Sequence, residues 1–256
     1  MSQSDTSLDE ALVQDYDLIY AGYANSPTRR RIYRQVYGDD YPTEADPCSY
    51  ITLSDLRRIA HELDIRPGQA LADLACGRGG PGLFVARETG AELVGIDISE
   101  VGVKLASQQA EAFGISEHAR FQVGSFAATG LPSAAFDGAM SVDAIFYAED
   151  QAAAACEVAR ILLPGSRFVF TTWDPDLSPM RDAGFSIEVC EETTGGNDRH
   201  RAVYEAARSA QADLIAEMGD YALGRWLDEG DRMTGRTDGV DRLAHVRHVL
   251  VVAEKA

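Results

Sequence analysis

At 256 residues, with 45% hydrophobic and 25% charged side chains, the chain can bury a full core as one catalytic-size domain with appendages. Its 41 acidic residues against 23 Lys and Arg leave a net charge of −18, which argues against a nucleic-acid partner, because phosphate binding depends on neutralising cations. No apolar run reaches about 18 residues and the first twenty residues lack Lys and Arg, so leader peptide, membrane span and membrane partner find no support and the expected location is cytoplasmic.

In chain order, residues 7–23 open with Ser7 and Glu10 in capping-box spacing and continue with helical periodicity. "TRRRIYR", residues 28–34, reads as a solvated helix face or a set of internal ion-pair partners. After the Gly-, Pro- and Asp-rich stretch "YGDDYPTEADP", helical periodicity resumes over 49–65 and stops at Pro67 and Gly68. Strand and helix then alternate. "ALADLAC", "AELVGIDI", "ARFQVGS", "FDGAMSVDAI" and "RFVFTTW" read as strands, with helices at "GLFVARET", "EVGVKLASQQAEAFG" and "QAAAACEVARIL" between them. Near-continuous apolar strands separated by helices predict a doubly wound α/β fold with a mostly parallel sheet covered on both faces. "MRDAGFSIEVCEET" adds a helix end and a strand, one long helical segment runs from Asp198 to Trp226, and "RLAHVRHVLVVAEKA" closes with a strand. Cys48, Cys76, Cys156 and Cys190 form no C-x-x-C pair and are expected as reduced thiols in mostly apolar surroundings.

The chemistry concentrates in "LADLACGRGGPG". Gly77, Gly79 and Gly82 follow the G-x-G-x-x-G spacing, and Asp97 lies 20 residues beyond Gly77, where an acid holds a ribose. Asp73, near the end of the first strand, does not suit a pyrophosphate; it suits a ligand with a cationic amino group. Read as D-x-A-x-G-x-G, Asp73 to Gly79, the run resembles motif I of the class I S-adenosylmethionine-dependent methyltransferases, of the small-molecule type that acts on ubiquinone precursors, sterols and natural products. Ala75 stands where that family has Gly. "FQVGSFAATGLP", "CEVARILLPGSRFVF" and "DAGF" resemble further segments of the family in register.

The resemblance implies a Rossmann-like seven-stranded sheet with an antiparallel last strand, S-adenosyl-L-methionine as cofactor, a small-molecule acceptor, and a monomer or homodimer. It implies a division into an N-terminal helical cap (1–66), a methyl-donor-binding core (67–194), a helical insertion serving as a lid (195–242) and a final core strand (243–256). Cofactor contacts are expected from Asp73, Ala75, Gly77, Gly79, Asp97, Ile98, Gly124, Ser125, Phe126 and Ser141. Tyr16 and Tyr23, on one face of the N-terminal helix, would meet the sulfonium. Ser125 replaces the Asp that contacts the adenine amine in relatives.

On the acceptor side, "SVDAIFYAED" carries Phe146 and Tyr147 where sterol and sugar methyltransferases of this type have paired histidines, and Thr172 replaces an acid at the end of strand five. A reaction dominated by proximity and desolvation is therefore expected, with Tyr147, Asp143 and His200 as the candidate catalytic residues. His200 reads as isolated in a polar setting. His245 and His248, three apart on a strand, would face opposite sides, so no metal site is expected. The open alternatives are a non-methylating cyclase or isomerase that uses the same cofactor, and a cofactor-binding protein without catalysis.

Overall fold

The protein was studied as a computed structural model, which describes residues 3–256 and side chains from residue 12 onward. Strands β1 (Ala70–Leu74), β2 (Glu92–Asp97), β3 (Ala119–Val123), β4 (Phe136–Val142), β5 (Leu162–Trp173), β6 (Phe185–Glu192) and β7 (His248–Lys255) form one sheet in the order β3-β2-β1-β4-β5-β7-β6. Only β7 runs antiparallel to its neighbours, pairing with β5 from Arg167–Glu254 to Trp173–His248.

Alternation along the central strands sends apolar side chains to both faces. Phe168 and Phe170 join Val249 and Val251 beneath α6 (Gln151–Ile161) and α7 (Ser178–Asp182). Val169, Leu250 and Val252 point the other way, into a core shared with α3 (Leu53–Glu62), α4 (Gly80–Thr89) and α5 (Glu100–Phe113).

A third core lies outside the sheet. Tyr23, Tyr33, Tyr37, Val203, Leu214 and Trp226 pack together, joining α1 (Gln3–Ala24) and α2 (Pro27–Tyr37) to α8 (Asn197–Ser209) and α9 (Gln211–Met233). N-terminal cap and insertion are thus one helical layer, whereas α3, assigned to the cap by the sequence reading, belongs to the sheet's own core through Leu56 and Ile59.

Other expectations shift locally. The single helix expected from Asp198 to Trp226 is two, parted at Ala210, and α9 bends at Gly219, whose φ of 82° is non-helical. Helix α3 starts at a capping box in which Thr52 and Asp55 bond reciprocally. The Ser7 and Glu10 side chains lie outside the described residues, and α1 begins before them. His245 follows a 3-10 turn and precedes β7. Of the cysteines only Cys76 is buried; the other three are exposed because they sit on a helix, an edge strand and the cap loop, where apolar sequence neighbours point inward.

Candidate functional site

Both β2 and β4 flank β1, so chain connections leave β1 in opposite directions and open a crevice at the carboxyl ends of the strands. The glycine loop turns there through left-handed conformations at Ala75 (φ 57°), Gly77 (φ 54°) and Gly79 (φ 79°). At Ala75 an L-residue holds a conformation that costs about 1–2 kcal/mol, so the departure from glycine acts on backbone strain. The turn is fixed by Asp97, whose Oδ2 accepts a hydrogen bond from the Gly77 amide (2.7 Å) and whose Oδ1 accepts one from the Ser99 amide (2.9 Å). Burial raises the Asp97 pKa, and these amide bonds restrain the rise.

Asp73 lies across the crevice and is 2% exposed. Its Oδ2 is buried without a partner. Burial first, and the Asp97 charge second, push this carboxyl up to about 8. Gly82 makes room for it, since a Cβ there would stand 2.3 Å from Asp73 Oδ2.

These groups border a cavity of about 770 Å³, within the range of small-molecule sites. Asp73, Ala75, Gly77, Asp97 and Ile98 line one end, joined by Gly124, Ser125 and Phe126. Two expected cofactor residues do not reach it. Gly79 caps α4 and packs toward Ala106 and Phe121. Ser141 is fully buried within β4 with an unpartnered Oγ, because strand alternation turns it away from the crevice.

Helix α1 covers the site. Tyr16 and Tyr23 line the cavity, Tyr23 also stacking edge-on against Trp226 at 5.9 Å. Tyr20, left out of the expected cofactor set, comes nearest the glycine loop: its hydroxyl donates to Asp97 Oδ2 at 3.5 Å, and a Cβ on Gly77 would lie 3.2 Å from it. Tyr20 lies four residues after Tyr16 and three before Tyr23, on the same helix face. Arg78, within the loop, binds the cap through the Asp46 carbonyl and carboxylate and the Cys48 thiol.

The three expected catalytic residues part company. Tyr147 projects into the cavity, its ring 6.0 Å from Tyr16, and burial together with the Glu229 charge raises its hydroxyl to about 12. Asp143 also reaches the cavity wall, but its carboxylate is engaged: Oδ1 accepts from Thr171 Oγ1 (2.6 Å) and pairs with His248 Nε2 (2.5 Å), and Oδ2 accepts from the Tyr50 amide (3.1 Å). Burial opposes its ionisation, yet His248 and these hydrogen bonds hold it at about 2. It is a clamp, held ionised at neutral pH by three hydrogen-bond partners.

The polar surroundings expected for His200 are overturned. It has no exposed surface, lies outside the cavity wall, and packs against Tyr50 (4.1 Å), Trp173 (4.8 Å) and His248 (5.7 Å). Neither ring nitrogen has a partner, and burial, then His248, lower its pKa to about 3. Tertiary packing of α8 on the cap buried a residue whose sequence neighbours are charged.

Glu229 was missed by the sequence reading. It lines the cavity and burial raises its carboxyl to about 7. The signal was present as an acid three residues after Trp226, on the face that continues the apolar stripe of α9. No group of three or more potential metal ligands occurs among the described residues.

Residues 72–170 match the family described as a methyltransferase domain. Methyltransferase phqN of Penicillium fellutanum is 34% identical over 159 residues, 60% of this chain and 48% of that protein. The 24-methylenesterol C-methyltransferase 2 of Oryza sativa subsp. japonica is 34% identical over 200 residues, 76% of this chain and 53% of its own length. The chain thus spans about half the length of these curated relatives. Among solved structures, the cyclase SpnF superposes with a TM-score of 0.67 at 23% identity, over 79% of this chain and 80% of that one. A geranyl diphosphate methyltransferase in complex with GPP and sinefungin gives 0.65 at 16% identity, over 97% and 99% of the two chains. These two superpositions establish a shared fold. The strand order and the glycine loop agree with the family match, so residues 72–170 carry a methyltransferase domain.

Proposed function

We propose that the protein transfers a methyl group from S-adenosyl-L-methionine to a small-molecule acceptor of specialised metabolism, in the cytoplasm. The observation that carries this reading is the pair of buried acids, Asp73 and Asp97, lining an aromatic-walled cavity, with Asp73 Oδ2 making no hydrogen bond within the protein and the Gly82 amide alone favouring its ionised form. An unsatisfied buried carboxylate oxygen costs stability unless a ligand supplies the donor. The set fits a cationic amino group at Asp73 and a ribose diol at Asp97, and it repels a polyphosphate. The cofactor, when bound, supplies an electrophilic methyl on a sulfonium. The chain's own part is to orient ligands on the Asp97-fixed loop, to present aromatic faces to positive charge, and to exclude water beneath α1 and α9.

The test has two arms. S-adenosylhomocysteine at about a hundredfold above its Kd should stabilise the protein by about 2.7 kcal/mol, NAD should not, and Asp97→Ala should weaken the cofactor by about 2–3 kcal/mol. Methyl-labelled S-adenosylmethionine offered with amines, phenols and carbonyl acids should then label a product. Stabilisation by NAD alone overturns the cofactor assignment. Tight cofactor binding with no label in any acceptor favours a non-methylating activity on the same fold.

A further inference from the structure

In its last turns α9 holds a carboxylate that the cofactor end of the cavity does not use. Trp226 and Glu229 are three residues apart and so share a helix face. Trp226 is anchored against Tyr33 (6.0 Å) and Tyr23 (5.9 Å), and this fixes Glu229 at the cavity wall with Tyr16, Tyr23 and Tyr147. Among the described residues no donor reaches its carboxylate. Arg225 turns instead to Asp15, 3.5 Å away. Asp143, which also lines the cavity, is engaged by His248, Thr171 and the Tyr50 amide.

The groups facing Glu229 come from every neighbouring element. Arg232 and Arg225 on its own helix favour its ionised form, and Asp143 at the end of β4 disfavours it. The Glu229 charge is felt by Tyr16 and Tyr23 on α1, Tyr50 in the cap loop, Tyr147 after β4 and Tyr204 on α8. It therefore lies among phenol groups.

We propose that Glu229 and the rings of Tyr16, Tyr23 and Tyr147 form the acceptor subsite for a basic amine, with the carboxylate accepting a hydrogen bond from the nitrogen and taking its proton. The aromatic faces attract an ammonium or its N-methyl groups, and the carboxylate adds a charge-assisted hydrogen bond. In the acid–base step the N–H bond of the ammonium breaks, the proton goes to a Glu229 carboxylate oxygen, and the electron pair stays on nitrogen. The ammonium becomes a neutral amine with a free lone pair, and Glu229 becomes a carboxylic acid. A carboxyl brought by burial to about 7 can exchange that proton near neutral pH. Glu229 becomes a catalytic residue only if the methyltransferase reading holds; the amine subsite itself does not depend on it.

The probes are N-methylbenzylamine and benzyl methyl ether, which match in shape and differ in basicity. Calorimetric titration into the full chain, with and without S-adenosylhomocysteine, should show the amine binding about tenfold or more tighter than the ether at pH 8. The preference should shrink as the pH falls through about 7, as Glu229 protonates. Glu229→Gln, which keeps size and shape, should abolish the preference and leave S-adenosylhomocysteine affinity unchanged; its folding is checked by an unaltered melt. Equal binding of the two probes, no binding of the amine, or a preference that survives in Glu229→Gln overturns the proposal. Failure of S-adenosylhomocysteine to bind, with the amine preference intact, overturns the cofactor reading alone.

Discussion

A carboxyl oxygen buried without a donor, as in Asp73, opposes folding until a ligand arrives. Its pKa is raised by burial to about 8, so between about pH 4 and 8 the folded state keeps a proton that the unfolded chain has released. Stability of the free protein therefore falls as the pH rises through that window and stays reduced above it. Asp73→Asn removes the effect. At pH 8 without cofactor the variant should be more stable than the wild type by at least one unit's worth, about 1.4 kcal/mol, and the gap should close toward pH 4. Thermal melts across this range check it, and a variant less stable at every pH contradicts it. The same substitution should weaken the cofactor, since the ammonium then loses its charged partner.

At the level of elements, Asp143 ties four segments together. It closes the end of β4 onto Thr171 of β5 and His248 of β7, and it receives the amide of Tyr50 from the cap. His248 in turn reaches Thr193 after β6 (2.7 Å), and the Tyr50 hydroxyl donates to Tyr204 of α8 (2.6 Å). The helical layer is thereby fastened to the sheet at the cavity wall. Because the folded pKa is depressed to about 2, this stabilisation is complete above the unfolded value near 4 and is lost as the pH falls through 2. At about 1.4 kcal/mol per unit it amounts to about 3 kcal/mol. Asp143→Asn should cost about that at pH 7, and its melting point should be the less sensitive of the two between pH 4 and 2, as differential scanning calorimetry would record.

For the whole molecule, the net charge of −18 and the fate of the one cationic run govern which partners are electrostatically open. Arg29 of "TRRRIYR" has no exposed surface and is paired with Asp46, and Arg30 lies 3.7 Å from the same carboxylate. The guanidinium of Arg29 also rests over Tyr23 and Tyr33 in the third core. Two of the four arginines are thus spent on internal structure, and a polyanion would meet mostly carboxylates. No retention on heparin or duplex DNA is expected at physiological salt; salt-sensitive retention on either column would contradict this.

The sequence by itself determined the strand and helix alternation, the sheet type and the glycine loop, because apolar periodicity and turn residues act over a few neighbours. The place of Asp73, Gly77 and Asp97 at the cavity wall was legible for the same reason: each sits at a strand end or turn whose direction local geometry dictates. Ser141 and Gly79 were misplaced because sequence spacing says that a residue is near a site and not which way its face turns. Only the tertiary structure decided that cap and insertion share one core, that His200 is buried beneath Trp173, that Asp143 is paired with His248, and that Glu229 lines the cavity. Each of these depends on elements far apart in the chain, α1 with α9 and β4 with β7, packing against one another. Burial and partner choice there are properties of the assembled surface, which no local pattern of residues encodes.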